Sequence, residues 1–171
     1  MSGHLTLVLG GARSGKSRYA EELVKAAPAP WIYLATAQAF DTEMASRIRR
    51  HRADRGHGWT TVEEPLDLVG ALMRHASPQA SVLVDCLTLW ISNLMGAGRD
   101  VSMACTAFAD TLERLPGNVV LVSNEVGQGI VPDNAMAREF RDHAGRLHQM
   151  VAERARRVVF VIAGLPMNLK G

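Results

Sequence analysis

Residues Gly10 to Ser17 read GGARSGKS and fit G-x-x-x-x-G-K-[ST] through Gly10, Gly15, Lys16 and Ser17. In such a loop the backbone N–H groups of Gly10, Gly11, Ala12, Arg13, Ser14 and Gly15 turn towards one point. The unpaired N–H groups of the helix that follows, and its dipole, add positive potential there. The matching ligand is a nucleoside triphosphate, with Lys16 in reach of its β and γ phosphates and the Ser17 hydroxyl a ligand for Mg²⁺. A glycine turn that binds nothing is the competing reading, and the flanks argue against it. Asp85 ends the apolar run Val82-Leu83-Val84-Asp85. A carboxylate in this position holds Mg²⁺ directly or through water, hydrogen-bonds the nucleotide, or caps the helix after it.

The stretch from Arg47 to Arg55, RIRRHRADR, sets five arginines around one histidine, His51. On a helix at about 100° per residue, Met44, Ile48, His51 and Arg55 share a face, so His51 lies with the apolar side. Neighbouring guanidinium groups disfavour the imidazolium, and a neutral imidazole is a nucleophile. The same arginines suit phosphate oxygens. A packed histidine on a solvated, arginine-rich helix fits the spacing as well. The loop Asn124-Glu125-Val126-Gly127-Gln128-Gly129 lets backbone approach a ligand closely, with Glu125 able to act on a hydroxyl or a metal. A tight strand-to-helix turn explains it equally. Arg138, Arg141, Asp142 and Arg146 have helical spacing and read as surface pairs, phosphate contacts or both. His57 and His148 have no partner at metal-ligand spacing and read as surface or site-rim residues.

The elements that must position these residues alternate along the chain. Leu5 to Leu9, Trp31 to Ala35, Trp59 to Glu63, Ser81 to Asp85, Asn118 to Ser123 and Val158 to Ala163 read as strands. Most are continuously apolar, as when both faces of a parallel sheet are covered. Arg18 to Ala27, a segment capped by Asp41 and running to about Arg55, Pro65 to His75, Leu87 to Met95, Ser102 to Leu115 and Asn134 to Arg156 read as helices. The expectation is one α/β domain over residues 1–171, with ligands beyond the carboxyl ends of the strands.

Composition sets the outer bounds. The chain has 171 residues, 47% hydrophobic and 21% charged, with a formal net charge of +2. Bulk charge therefore gives no argument for nucleic acid or an acidic membrane. Cys86 and Cys105 have no C-x-x-C spacing, so neither a disulfide framework nor a zinc site is expected, and a reduced cytoplasmic setting fits. No apolar run is long enough for a membrane span, and the first strand begins too early to leave room for a signal peptide.

Several segments together resemble the bifunctional adenosylcobinamide kinase/adenosylcobinamide-phosphate guanylyltransferase family of cobalamin synthesis. They are GGARSGKSRYAEEL, YLATAQAFDTEMASRIRRHRADR, VDCLTLWISNL, VLVSNEVGQGIVPDNAMAREFRDHAGRLHQ and AGLPMNLK. The first belongs to a very large superfamily, whereas the second and fourth are specific. The resemblance implies a RecA-like P-loop NTPase sheet and two reactions. ATP or GTP phosphorylates adenosylcobinamide; GTP then gives GMP to a histidine, matched here by His51, and the phosphorylated corrinoid takes it to form adenosylcobinamide-GDP. It further implies nucleotide contacts from Gly10 to Ser17, from Thr36, Ala37 and Gln38, from Arg52, Ala53, Asp54 and Arg55, and from Glu63 and Asp85. Lys16 joins His51 as a catalytic residue, Ser17 and Asp85 serve Mg²⁺, and a homo-oligomer, a trimer, is expected. A plain P-loop kinase with a structural His51 is the alternative. A GTP-dependent switch is disfavoured, because no [NT]-K-x-D sequence is present.

Overall fold

The structure of the chain, a computed structural model, describes residues 4–38 and 42–171, save the side chains at 44, 47, 50–52 and 54. The elements run β1 (His4–Gly10), α1 (Lys16–Lys25), β2 (Trp31–Ala35), α2 (Thr42–Asp54), β3 (Trp59–Glu63), α3 (Leu68–His75), β4 (Ser81–Asp85), α4 (Leu87–Gly96), α5 (Val101–Leu112), β5 (Asn118–Asn124), α6 (Ala135–Arg154), β6 (Arg157–Ile162) and β7 (Leu165–Lys170). One seven-stranded sheet has the order β3-β2-β4-β5-β1-β6-β7. All neighbours are parallel except β6 and β7. The fold is α/β, as the alternation of elements requires.

Strand periodicity splits the core between the two sheet faces. Leu5, Leu7, Leu9, Leu34, Val82, Val84, Val119 and Leu121 pack with α3 to α6 through Leu72, Trp90, Phe108 and Leu147. Val8, Tyr33, Ala35, Leu83, Val120 and Val122 face the other way, against Ala20 and Val24 of α1. Burial on both faces is why the strands read as unbroken apolar runs.

Helix boundaries follow side-chain caps. Asp67 accepts from Gly70 N at 2.9 Å, so α3 starts at Leu68 and not at Pro65. Asp100 and Asn134 cap α5 and α6 in the same way. Asp41, the cap expected for α2, lies outside the described residues.

The last strand expected from sequence is followed by another. Ala163 (φ 51°) and Gly164 (φ 78°) turn the chain back, and β7 pairs antiparallel with β6. Every residue of β7 is exposed, so it carries no alternating burial signal, and Pro166 is tolerated because this is a sheet edge. The turn also matters to the glycine loop, since Gly164 N donates to the carbonyl of Ser14 at 2.7 Å.

Candidate functional site

The glycine loop leaves β1 at Gly10 and enters α1 at Lys16. Two of its glycines are required by geometry. A Cβ on Gly10 would lie 2.4 Å from Ser14 Oγ and 2.8 Å from the Val161 carbonyl. Gly15 has φ 92°, and a Cβ there would come within 3.1 Å of Gly164 Cα. Gly15 is also the N-cap of α1 and supplies no side chain. The first N–H groups of this helix are thus left to an anion. Lys16 is buried, and its Nζ donates to the Gly11 carbonyl at 3.1 Å, which folds the ammonium across the loop.

Ala12, Arg13, Lys16 and Ser17 form one wall of a cavity of about 470 Å³ at the carboxyl ends of the strands. Tyr33, Ala35, Ala37, Thr61, Asp85, Cys86, Leu89 and Asn124 line the rest, with Ile48 and Arg55 on the α2 side. Register explains why Asp85 reaches it. Asp85 pairs with Ala35, so Tyr33 stands two residues back on the same sheet face. The Tyr33 hydroxyl donates to Asp85 Oδ2 at 2.5 Å. Burial, and then the Asp85 charge, push the Tyr33 phenol far above its usual range, with Arg55 opposing, so the tyrosine stays the donor. Burial and Asp85 likewise push the Cys86 thiol up. Cys86 and Cys105 are both free and buried.

Arg55 follows α2 directly and is 7% exposed. Its guanidinium carbon stands 3.5 Å from the Tyr33 ring centroid, and its Nη2 donates to Thr61 Oγ1 at 3.4 Å. Among the described residues its Nε and Nη1 have no hydrogen-bond partner. A buried cation with two idle donors at a cavity wall is suited to an anionic oxygen.

The other expected contacts divide. Ala37 lines the main cavity, whereas Gln38 and Glu63 line a neighbouring hollow of about 520 Å³ with Ala45, Ile48, Arg49 and Pro65. Ala37 and Ile48 border both spaces. Thr36 has a different task from the one expected. It is fully buried, its Oγ1 accepts from Cys86 N at 2.9 Å, and its hydroxyl faces the carbonyls of Cys86 (2.8 Å) and Asp85 (3.2 Å). It braces the end of β4 and leaves no side-chain atom for a ligand. A Thr36→Val variant strands those groups in a dry interior. It is expected to lose about 2 kcal/mol of stability, measurable as a lower urea midpoint with unchanged slope. An unchanged midpoint would mean that these bonds contribute nothing net. Ala53 is exposed. The side chains of His51, Arg52 and Asp54 lie outside the described residues. The backbone sets position 51 three residues beyond Ile48 on α2.

The loop after β5 divides as well. Asn124 reaches the main cavity and donates to Thr88 Oγ1 at 3.0 Å. Glu125 is engaged within its own loop, accepting from Gly127 N at 2.5 Å. Its other oxygen is 4.0 Å from His148 Nδ1. His148, expected at the surface or the rim of the site, is buried and sits 2.7 Å from Ser123 Oγ. Burial lowers the affinity of its ring for a proton, with Glu125 partly opposing. The missed signal is the stripe Ala144, Leu147, His148 and Val151, spaced as a buried helix face. Arg141, Asp142 and Arg146 border a separate hollow of about 610 Å³ with Gly127 and Gly129. Arg138 donates to the Pro132 carbonyl at 2.8 Å. Arg146 also borders a groove of about 600 Å³ beside Cys105 and His143.

Two hard oxygen donors, the Ser17 hydroxyl and the Asp85 carboxylate, line one cavity, and the Tyr33 bond uses only Oδ2 of the latter. Among the described residues no group of three or more His, Cys, Asp or Glu could hold a metal. A cation here would take its remaining ligands from phosphate and water, which is the habit of Mg²⁺. The donor set fits that ion. Among the described residues no helix is long and apolar enough to cross a membrane.

Similarity to solved structures supports the fold alone. A Pyrococcus horikoshii OT3 protein studied as PH0250 aligns with TM-score 0.60 and 11% identity, over 99% of this chain and 87% of that one. The P4 protein of bacteriophage phi13 aligns with TM-score 0.54 and 14% identity, over 96% of this chain and 53% of the phage chain. Sequence similarity is far closer. The bifunctional adenosylcobalamin biosynthesis protein CobP of Pseudomonas aeruginosa is 50% identical over 96% of both chains. The corresponding CobU protein of Escherichia coli is 40% identical over 97% of this chain and 99% of its own. Residues 6–169 match the family described as cobinamide kinase / cobinamide phosphate guanyltransferase. With a phosphate-binding loop, a strand-end carboxylate and an arginine-bearing helix around one cavity, and relatives matched end to end, this chain belongs to the cobinamide kinase / cobinamide phosphate guanyltransferase family.

Proposed function

We propose that residues 1–171 work as a single nucleotide-binding domain that carries both family activities. It phosphorylates adenosylcobinamide with ATP or GTP and then converts the product to adenosylcobinamide-GDP. The observation that carries this reading is the shared cavity: Lys16, Ser17, Asp85 and Arg55 line it, and α2, the helix that bears His51, borders it through Ile48. A kinase alone has no use for a nucleophile on that helix.

In the first step the loop amides and Lys16 hold the β and γ phosphates in line with the substrate hydroxyl, and Arg55 offers its idle donors to phosphate oxygens. Mg²⁺, when bound at Ser17 and Asp85, supplies charge neutralisation across the phosphates. In the second step a ring nitrogen of His51 attacks the α-phosphorus of GTP. A nitrogen–phosphorus bond forms as the bond to the bridging oxygen of pyrophosphate breaks. An oxygen of the corrinoid phosphate then displaces the imidazole, restoring the free histidine. The contacts carried over from the family at Arg52, Ala53 and Asp54 lie beside that nucleophile. The hollow at Gln38 and Glu63 suits guanine, because a carboxylate accepts from both N1–H and the 2-amino group, and adenine offers no such pair.

Buried, unpaired thiols at Cys86 and Cys105 support a cytoplasmic setting. The exposed Leu165, Met167 and Leu169 on the edge strand β7 support a homo-oligomer, taken as a trimer. The two-step reading is tested by supplying adenosylcobinamide, GTP and Mg²⁺ and weighing the corrinoid products by mass spectrometry. A phosphorylated corrinoid followed by its GDP derivative is expected. Accumulation of the phosphate alone would reduce the protein to a kinase.

A further inference from the structure

Among the described residues, Tyr33 is the one side chain in the cavity that touches both the strand-end carboxylate and the end of the histidine-bearing helix. Its hydroxyl donates to Asp85 Oδ2 at 2.5 Å. Its ring face carries the Arg55 guanidinium at 3.5 Å, and Arg55 is the first residue after α2. The ring itself is fixed from the side. Trp59 meets it edge-on at 6.0 Å and 78°, and Trp31 packs on Trp59 at 5.7 Å. Tyr33 is only 7% exposed, so the ring has little room to choose another rotamer.

Each contact has a separate consequence. A carboxylate that accepts a short hydrogen bond on one oxygen cannot rotate freely, and its other oxygen keeps a fixed direction. A guanidinium stacked on a tyrosine face gains cation–π attraction, and more when it is desolvated, as Arg55 is. Helix ends fray where nothing holds them. The stack therefore pins the carboxyl end of α2 against the sheet.

We propose that Tyr33 is a positioning residue for both reactions, its hydroxyl aiming Asp85 and its ring face docking Arg55 to set the helix that bears His51. This rests on the two-step reading above. It extends that reading by placing the carboxylate and the nucleophile's helix on one support, at a residue without phosphate-binding character of its own.

Two substitutions separate the two roles. Tyr33→Phe keeps the ring and loses the hydroxyl; Tyr33→Leu loses both. One readout is nucleotide binding by calorimetry with and without Mg²⁺; the other is the rate of covalent labelling from α-labelled GTP. Tyr33→Phe is expected to lose about tenfold of the Mg²⁺-linked gain in affinity, with Mg²⁺-free binding and labelling at saturating Mg²⁺ close to the parent. Tyr33→Leu is expected to show the same loss and, in addition, labelling slower by about tenfold or more. A purely structural tyrosine would lower melting temperature without dividing these readouts. Should Tyr33→Leu fail to fold, Tyr33→Met fills more of the space and still lacks the ring face, with Arg55 and its donors retained. It is expected to show the same two losses. An unchanged Mg²⁺ gain in Tyr33→Phe overturns the hydroxyl's role. Labelling as fast in Tyr33→Leu as in Tyr33→Phe, or as fast in Tyr33→Met where Tyr33→Leu does not fold, overturns the ring's role. Absence of any label on the parent protein tells against the two-step reading instead, and the Mg²⁺ arm then still decides the Asp85 contact.

Discussion

GTP labelled in its α-phosphate is expected to leave the label on the denatured parent protein and none on a His51→Ala variant. The expected linkage is a phosphoramidate, which acid cleaves and base spares. An ester on Ser17 or Thr36 would show the opposite pattern, and Thr36 is sealed in the interior in any case. The size of the effect follows from the role. Removing the atom that forms the bond leaves only binding and orientation, so labelling should fall by more than about 10³-fold. Melting temperature serves as the folding control. A parent protein that takes up no label while it phosphorylates the corrinoid would leave the kinase alone. A label that persists in His51→Ala would move the nucleophile to another residue.

Lys16→Ala is expected to weaken both reactions together, each by about 10² to 10³-fold, the scale seen when one preorganised hydrogen-bond donor to a developing oxyanion is lost. The reasoning is spatial. Lys16 lies across the loop with its ammonium 3.1 Å from the Gly11 carbonyl, in a largely enclosed position. Arg55 and Ile48 border the same cavity from the α2 side. If one triphosphate site serves the two steps in turn, with a fresh GTP bound for the second, both the γ-transfer and the attack at the α-phosphorus depend on this lysine. Initial rates of corrinoid phosphorylation and of covalent labelling, measured on the same preparation, test this. Full labelling in the variant would mean that GTP meets His51 without using the glycine loop.

The parts of this site that were legible in the sequence are those that a continuous segment specifies. Gly10 to Ser17 announces itself because strand, loop and helix are contiguous, and because Gly10 and Gly15 occupy positions where a Cβ would clash or strain. The alternation of apolar runs and helical stretches likewise gives the parallel sheet. The parts that were not legible depend on register between distant strands. Tyr33 reads as one more apolar residue of a buried strand until β2 is laid against β4 and its hydroxyl meets Asp85. Thr36 passes for a site residue for the same reason, since its partners at Cys86 are distant in sequence. The separation of Gln38 and Glu63 from the main cavity is set by where α2 crosses, which no local pattern encodes. The edge strand β7 escaped notice because edges bury little and therefore leave no periodic trace.

The position of β1 has a consequence for synthesis of the chain. This strand bears the glycine loop, yet its two neighbours are β5 and β6, with Leu5 set beside Val119 and Thr6 beside Arg157. The turn that supports the loop through Gly164 comes later still. A nascent polypeptide emerging from the ribosome therefore carries a phosphate-binding sequence that is made before its strand neighbours and acquires its shape only after them. Until then both sides of a strongly apolar strand stay open to pairing. Slow elongation past β5 would prolong that exposure, and a chaperone that shields extended apolar segments would have a docking point here.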